Sequence, residues 1–204
     1  MITNIGGHKV KCGNLIDGID DLMGNDMADI LYSDPPWGEG NLKYWNTINQ
    51  RDNKNEQKEN VSLDKFLNIL FSVAVKYCRG PIIIEYGIRW KASLIDKAKE
   101  YKLNSIIVCD AIYKTGSKFL PLNIHVFSNK DIMLPEDYKD TLKNTSSLQT
   151  VRMAIKPFAQ AGKIILDPCC GMGKTAAIAK EYDMIFRGNE LNKKRLDKTI
   201  KLLK

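Results

Sequence analysis

The chain has 204 residues, enough to bury one good core and too few for two independent domains, and 44% of them are hydrophobic. Its 31 Lys and Arg exceed its 24 Asp and Glu, and the resulting formal charge of +7 favours a polyanionic partner without identifying one. No apolar run approaches the roughly 18 residues of a membrane span, MITNIGGHKVKC lacks the pattern of a signal peptide, and five scattered cysteines without a CxxC pair argue against zinc or disulfides. The expectation is a single cytoplasmic domain, residues 1–204, with no metal.

In chain order, HKVKCGN is compatible with a short strand, LIDGIDDLM has helical spacing, and ADILYSD is an apolar run ending in an acid. Residues 38–60, GEGNLKYWNTINQRDNKNEQKEN, are polar and read as a mobile lid loop, because so long a polar connection inside a small domain is unusual without a function. SLDKFLNILFSVAVKYC follows, with Leu63, Phe66, Leu67, Leu70, Phe71 and Ala74 at helical spacing behind Ser62 as an N-cap. GPIIIEYG reads as a buried strand, WKASLIDKAKEYK as a helix, and NSIIVCDAIYK with LNIHVFSN as two strands able to pair as a hairpin.

The second half repeats the rhythm: a helix over SLQTVRMAIKPFAQ, the apolar run KIILD, a glycine turn, a helix from about Thr175 to Tyr182, the strand MIFRGNE and the helix NKKRLDKTIKLLK. Alternation of this kind predicts an α/β fold, a mostly parallel sheet with helices on both faces.

Two strand ends stand out. The first is Asp34-Pro35-Pro36-Trp37, an acid, two prolines and a large ring at the end of ADILYSD. The second is Asp167-Pro168-Cys169-Cys170-Gly171-Met172-Gly173-Lys174-Thr175, where glycines allow a tight turn into a helix N-terminus with unpaired N–H groups. This turn lacks the first glycine of a P-loop and the third of the dinucleotide fingerprint. Glu190 lies about twenty residues further on, the place from which an acid at the end of the next strand meets ribose hydroxyls in nucleoside-binding α/β folds.

Together these segments resemble the S-adenosylmethionine-dependent amino-methyltransferases that act on adenine N6 or cytosine N4 in nucleic acid. Asp34 to Trp37 match the family's catalytic DPPY or DPPW motif, and Asp167, Pro168, Gly171, Gly173 and Thr175 match its donor-binding motif. The catalytic motif precedes the donor motif, which is similar to the circularly permuted β-type arrangement of DNA methyltransferases. The resemblance implies a Rossmann-like, seven-stranded, mostly parallel sheet with an antiparallel last strand. It also implies S-adenosylmethionine as cofactor, bound by the donor motif and Glu190. The family's GD segment reads Gly13-Asn14 here, Cys169 stands where an aromatic is usual, and Lys174 separates Gly173 from Thr175.

The chemistry explains these residue types. A base's exocyclic amine is a weak nucleophile because its lone pair is delocalised into the ring, and two acceptors on its hydrogens draw it toward sp³ geometry. Asp34 supplies one acceptor and the carbonyl of Pro35, held by Pro36, another. Trp37 offers a face for a flipped base. Asn14, Tyr44 and Trp45 are candidate substrate contacts, the two aromatics because bases stack on rings in a polar segment.

The expected activity is therefore methylation of a flipped base in DNA, adenine N6 first. Trp37 also resembles the RNA adenine methyltransferases. A non-catalytic nucleic-acid-binding subunit is another alternative, since the expectation is of no separate target-recognition domain, which leaves the lid and KDIMLPEDYKDTLKNT to read sequence. A homodimer or a partner subunit would fill that gap. Protein glutamine methylation is disfavoured, as those enzymes usually begin the motif with Asn.

Overall fold

A computed structural model describes residues 1–53 and 61–204. In chain order the elements are β1 (Ile2–Ile5), β2 (His8–Cys12), α1 (Asp20–Met23), β3 (Ile30–Ser33), α2 (Gly38–Asn53), α3 (Leu63–Tyr77), β4 (Ile82–Gly87) and α4 (Lys91–Glu100). They continue with β5 (Asn104–Thr115), β6 (Lys118–Ser128), α5 (Tyr138–Leu142), α6 (Leu148–Ile155), β7 (Ile164–Asp167), α7 (Lys174–Glu181), β8 (Ile185–Glu190) and α8 (Lys193–Leu203).

The strands form one sheet in the order β1-β2-β8-β7-β3-β4-β6-β5. Pairing is parallel from β2 through β8, β7 and β3 to β4. It is antiparallel at both edges. The expected hairpin is β5 with β6, and β6 is the antiparallel strand inserted beside β4.

The sheet has eight strands rather than seven. β1 is the addition, and it pairs with β2 through Gly6-Gly7, whose φ angles of 50° and 90° suit a two-residue hairpin turn. The Gly-Gly between two short β-compatible runs was the signal for it.

Successive strand residues feed opposite layers, as period-two geometry requires. Ile30, Tyr32 and Ile83 pack with α5, α6, α7 and α8, whereas Leu31, Ile82 and Ile84 pack with α1, α3 and α4. Both faces of β3 and β4 are covered, so all residues of both strands are buried. The α3 helix begins where expected, with the Ser62 side chain accepting from Lys65 N–H at 3.2 Å, a cap worth about 1 kcal/mol.

The expected lid loop is corrected over its first part: residues 38–53 are helical. The helix was hard to read because its inward face is largely amide, with Asn46 and Asn49 buried beside Leu42. Residues 54–60 of the expected lid lie outside the described residues. LIDGIDDLM, expected as one helix, is a 3₁₀ turn at Leu15–Asp17 followed by α1, interrupted at Gly18 with φ 78°. No helix among the described residues is long and apolar enough to cross a membrane.

Candidate active site

Topology locates the site before any side chain is considered. From β7 the chain passes through α7 to β8 on one side, and β3 is followed by β4 on the other. The connections diverge between β7 and β3, so a crevice opens beyond the C-terminal ends of these two strands. Asp34 follows β3 and Asp167 ends β7, and a cavity of about 190 Å³ lies there.

One wall is the catalytic candidate segment, and Asp34, Pro35, Pro36 and Trp37 all line the cavity. Trp37 is anchored from two sides: its backbone N–H donates to Asn41 Oδ1 at 3.0 Å and its indole N–H to the Glu85 carbonyl at 3.2 Å. Its ring meets Tyr113 edge-on with centroids 5.2 Å apart. Gly87 makes room for it, since a Cβ there would lie 3.2 Å from the indole.

Asp34 does not stand alone. Lys174 Nζ donates to Asp34 Oδ2 at 3.3 Å and lies 3.9 Å from Glu85 Oε2. Tyr32 OH donates to the same Glu85 oxygen at 2.8 Å. Burial, reinforced by the nearby Asp34 carboxylate, raises the Glu85 pKa, and Lys174 opposes that rise. Lys174 itself is held above the usual ammonium range by Asp34 and Glu85 against the cost of burial. Lys174, which separates Gly173 from Thr175, thus links the glycine turn to Asp34. Glu85, inside an apolar strand run, was not singled out from the sequence; an acid at the centre of IIIEYG was the available signal.

The opposite wall comes from the glycine turn and the end of β8. Pro168 and Glu190 line the cavity, while Asp167, Gly171, Gly173 and Thr175 stand behind it and shape the turn. Asp167 Oδ2 accepts from Thr175 Oγ1 at 2.6 Å and Oδ1 from Cys169 N–H at 3.1 Å, and burial pushes its pKa up to about 7. Gly171 and Gly173 have φ of 55° and 90°. A Cβ at Gly171 would sit 2.9 Å from Arg195 Nη2, and one at Gly173 2.9 Å from Thr199 Oγ1. The glycines therefore make the tight turn and also admit α8 against it.

Glu190 is buried, and its carboxylate accepts the Gly171 N–H and the Asn192 N–H, each at 2.8 Å. Burial raises its pKa despite Arg195 and these two donors. Next to it, Asn189 Nδ2 donates to the Pro168 carbonyl at 3.2 Å, whereas Asn189 Oδ1 is buried at the cavity wall without a partner among the described residues. A buried acceptor without a donor is costly, so a ligand bringing hydroxyl or amino hydrogens fits here. Leu15, Ile16 and Leu191 add apolar lining. Asn189 was legible only as the neighbour of Glu190.

The three proposed substrate contacts separate. Asn14 lines the cavity, and its side chain also caps the 3₁₀ turn by accepting from Ile16 N–H at 3.2 Å. Trp45 lines the cavity with Arg195 4.3 Å from its ring centroid. Tyr44 is not part of the lining and is 57% exposed, in an edge contact with Trp45. Asn192 Nδ2 donates to Asn49 Oδ1 at 3.2 Å, so α2 is tied across the cavity to the start of α8. The KDIMLPEDYKDTLKNT segment is partly bound to the core: Tyr138 and Leu142 are buried, and Tyr138 OH donates to the Ala154 carbonyl at 2.9 Å. Among the described residues no group of three or more His, Cys, Asp and Glu is arranged to hold a metal.

No protein-family model matches the chain, and no curated protein matches it by sequence. Its backbone is similar to the crystal structure of M1.HpyAVI in complex with SAM, with TM-score 0.68, 15% identity, and coverage of 95% of this chain and 98% of that one. It is also similar to TTHA0409 of Thermus thermophilus, a proposed DNA modification methylase solved with S-adenosyl-L-methionine, with TM-score 0.61, 14% identity and 96% and 93% coverage. A third similar structure is the cytosine-N4-specific PvuII DNA methyltransferase, with TM-score 0.59, 10% identity and 98% and 96% coverage. The chain has their fold. The likeness extends over nearly the whole of each chain, and the fold is the Rossmann-like one that the strand order describes.

Proposed function

We propose that this protein is a single-domain enzyme that transfers a methyl group from S-adenosylmethionine to the exocyclic amine of a flipped base in DNA, adenine N6 first. The observation that carries this reading is convergence: Asp34, Pro35 and Trp37 from the end of β3 share one cavity with Pro168, Asn189 and Glu190 from the ends of β7 and β8. Solved structures of the same fold, bound to the same donor or specific for an amine of a base, support it.

The cofactor would be held by Glu190 and Asn189 through its hydroxyl and amino hydrogens, with Leu15, Ile16 and Leu191 against its apolar faces. When bound, it supplies an electrophilic methyl group on a positively charged sulfur. The chain's own residues prepare the amine. Lys174 occupies Asp34 Oδ2, leaving Oδ1 to accept one amine hydrogen while the Pro35 carbonyl accepts the other. Trp37 stacks on the base from an indole fixed to β4. Asp34 Oδ1 is also placed to take the proton the methylated amine sheds. The α2 helix, tied to α8, acts as the lid that excludes water.

The test is transfer of label from S-adenosylmethionine to duplex DNA, single-stranded DNA and RNA, each offered separately. Label in N6-methyladenine of DNA is the expected result. Label in RNA alone would move the substrate to RNA. No transfer, with donor binding intact by calorimetry, would overturn an enzyme that acts without a partner.

A further inference from the structure

The cavity opens beside an arm that the core does not explain. β4 ends at Gly87 opposite Leu122 of β6, yet β5 and β6 go on pairing from Ile112↔Pro121 to Thr115↔Lys118. This arm projects roughly 14 Å past β4 at about 3.4 Å per residue; Ile112 N–H still donates to the Thr145 carbonyl at 2.9 Å, and beyond it the arm is a two-stranded ribbon. Ribbons of two strands are marginal in water and gain little by displaying apolar side chains. This one nevertheless exposes Phe119 by 61%, Leu120 by 45% and Tyr113 by 37%. The 3₁₀ turn Ile88–Trp90 after β4 adds Trp90, 39% exposed.

Charge and position narrow the occupant. Arg89, Lys114 and Lys118 belong to these two segments, Lys91 follows the turn at the start of α4, and residues 86–95 and 111–130 contain no Asp or Glu. Lys114 Nζ lies 5.6 Å from the Phe119 ring centroid. Aromatic faces interleaved with cations suit stacked bases and their phosphates. A second copy docked symmetrically would bring like charges together with no carboxylate of these segments to offset them. The arm is also continuous with the site: Tyr113 meets Trp37 edge-on at the cavity wall, and Trp90 packs on Gly38, where a Cβ would come within 2.3 Å of its ring.

Building on the nucleic-acid reading above, we infer that the β5–β6 arm and the Ile88–Trp90 turn form the surface that holds the strand flanking the flipped base. The rings of Phe119 and Trp90 stack on neighbouring bases, and Lys114 and Lys118 hold phosphates. Sequence-independent grip on the substrate thus comes from a hairpin of the sheet itself.

The full-length protein, Phe119→Ala/Leu120→Ala and Lys114→Gln/Lys118→Gln are compared by fluorescence anisotropy on a labelled DNA duplex over a salt series. These side chains are exposed, and unchanged S-adenosylmethionine affinity by calorimetry verifies folding. The apolar pair is expected to weaken DNA binding about tenfold. The lysine pair is expected to lower the slope of log affinity against log salt by about two. Wild-type affinity and slope in both variants, with a wild type that binds and methylates DNA, would overturn the inference and leave the enzymatic reading standing. Loss of self-association by sedimentation, with unchanged DNA affinity, would overturn it in favour of a protein interface. A wild type that binds neither DNA nor RNA would overturn the enzymatic reading itself.

Discussion

The floor and the rim of the cavity are built on opposite principles. At the floor, Asp34 and Glu190 line the cavity from strand ends, while Asp167 at the end of β7 and Glu85 within β4 stand behind them. Each carboxylate has hydrogen-bonding or ionic partners that fix it, with burial driving three of the four upward in pKa. At the rim, Tyr44, Trp90 and Phe119 stand exposed on a polar helix, a short turn and a two-stranded arm. The floor fixes its groups by hydrogen bonds and ion pairs at an electrostatic cost, and the rim offers exposed aromatic area. Chemistry needs the former, and grip on a long polymer needs the latter.

The sharpest way to break this contrast is Asp34→Ala. Methyl transfer is expected to fall at least about 10³-fold, with donor affinity by calorimetry within about twofold; a variant retaining a tenth of wild-type activity would remove Asp34 from the reaction. Asp167→Asn tests what burial costs the floor. A carboxyl whose folded pKa is raised from 3.8 to about 7 favours folding fully only below its unfolded value, and that contribution is lost as pH rises toward 7. The Asn variant is therefore expected to be more stable than wild type at pH 8, by roughly 2 to 4 kcal/mol, with the gap closing below pH 4; denaturant midpoints at the two pH values measure it.

Lys174→Met leaves Asp34 without the donor to Oδ2. We expect kcat to drop roughly 10- to 100-fold with KM for the donor little changed, because the loss is one of orientation; a rise in KM alone would place Lys174 in donor binding instead. Glu190→Ala is expected to weaken the donor about tenfold, read by calorimetry, and an unchanged constant would remove the ribose contact. The smallest effect belongs to the rim: Tyr44→Ala, outside the cavity wall, is expected to change nucleic-acid affinity no more than about threefold and donor affinity not at all.

Much of this was legible in the chain itself. Short apolar runs bounded by turn residues gave the strands, because residues buried on both faces leave no room for polar alternation. The two motifs at the ends of β3 and β7 marked where the candidate cavity opens, since an acid, prolines and glycines at such places answer to geometry that few other residues can adopt. What escaped notice escaped for physical reasons. The α2 helix hides because Asn46 and Asn49, rather than aliphatic residues, form its inward face. Glu85 sits in a strand whose other members are apolar, so its partnership with Tyr32 exists only once β4 lies beside β3.

By itself, then, the sequence determined the alternation of elements, the two strand-end motifs and the class of chemistry they suit, because these depend on residue types within short stretches. Tertiary structure alone decided the rest: that Lys174 bridges to Asp34 across 140 positions of chain, that Gly171 and Gly173 face α8, and that Tyr113 of the arm meets Trp37 at the cavity wall. Such relations depend on distances between segments far apart in sequence. Only the order of strands in the sheet sets them.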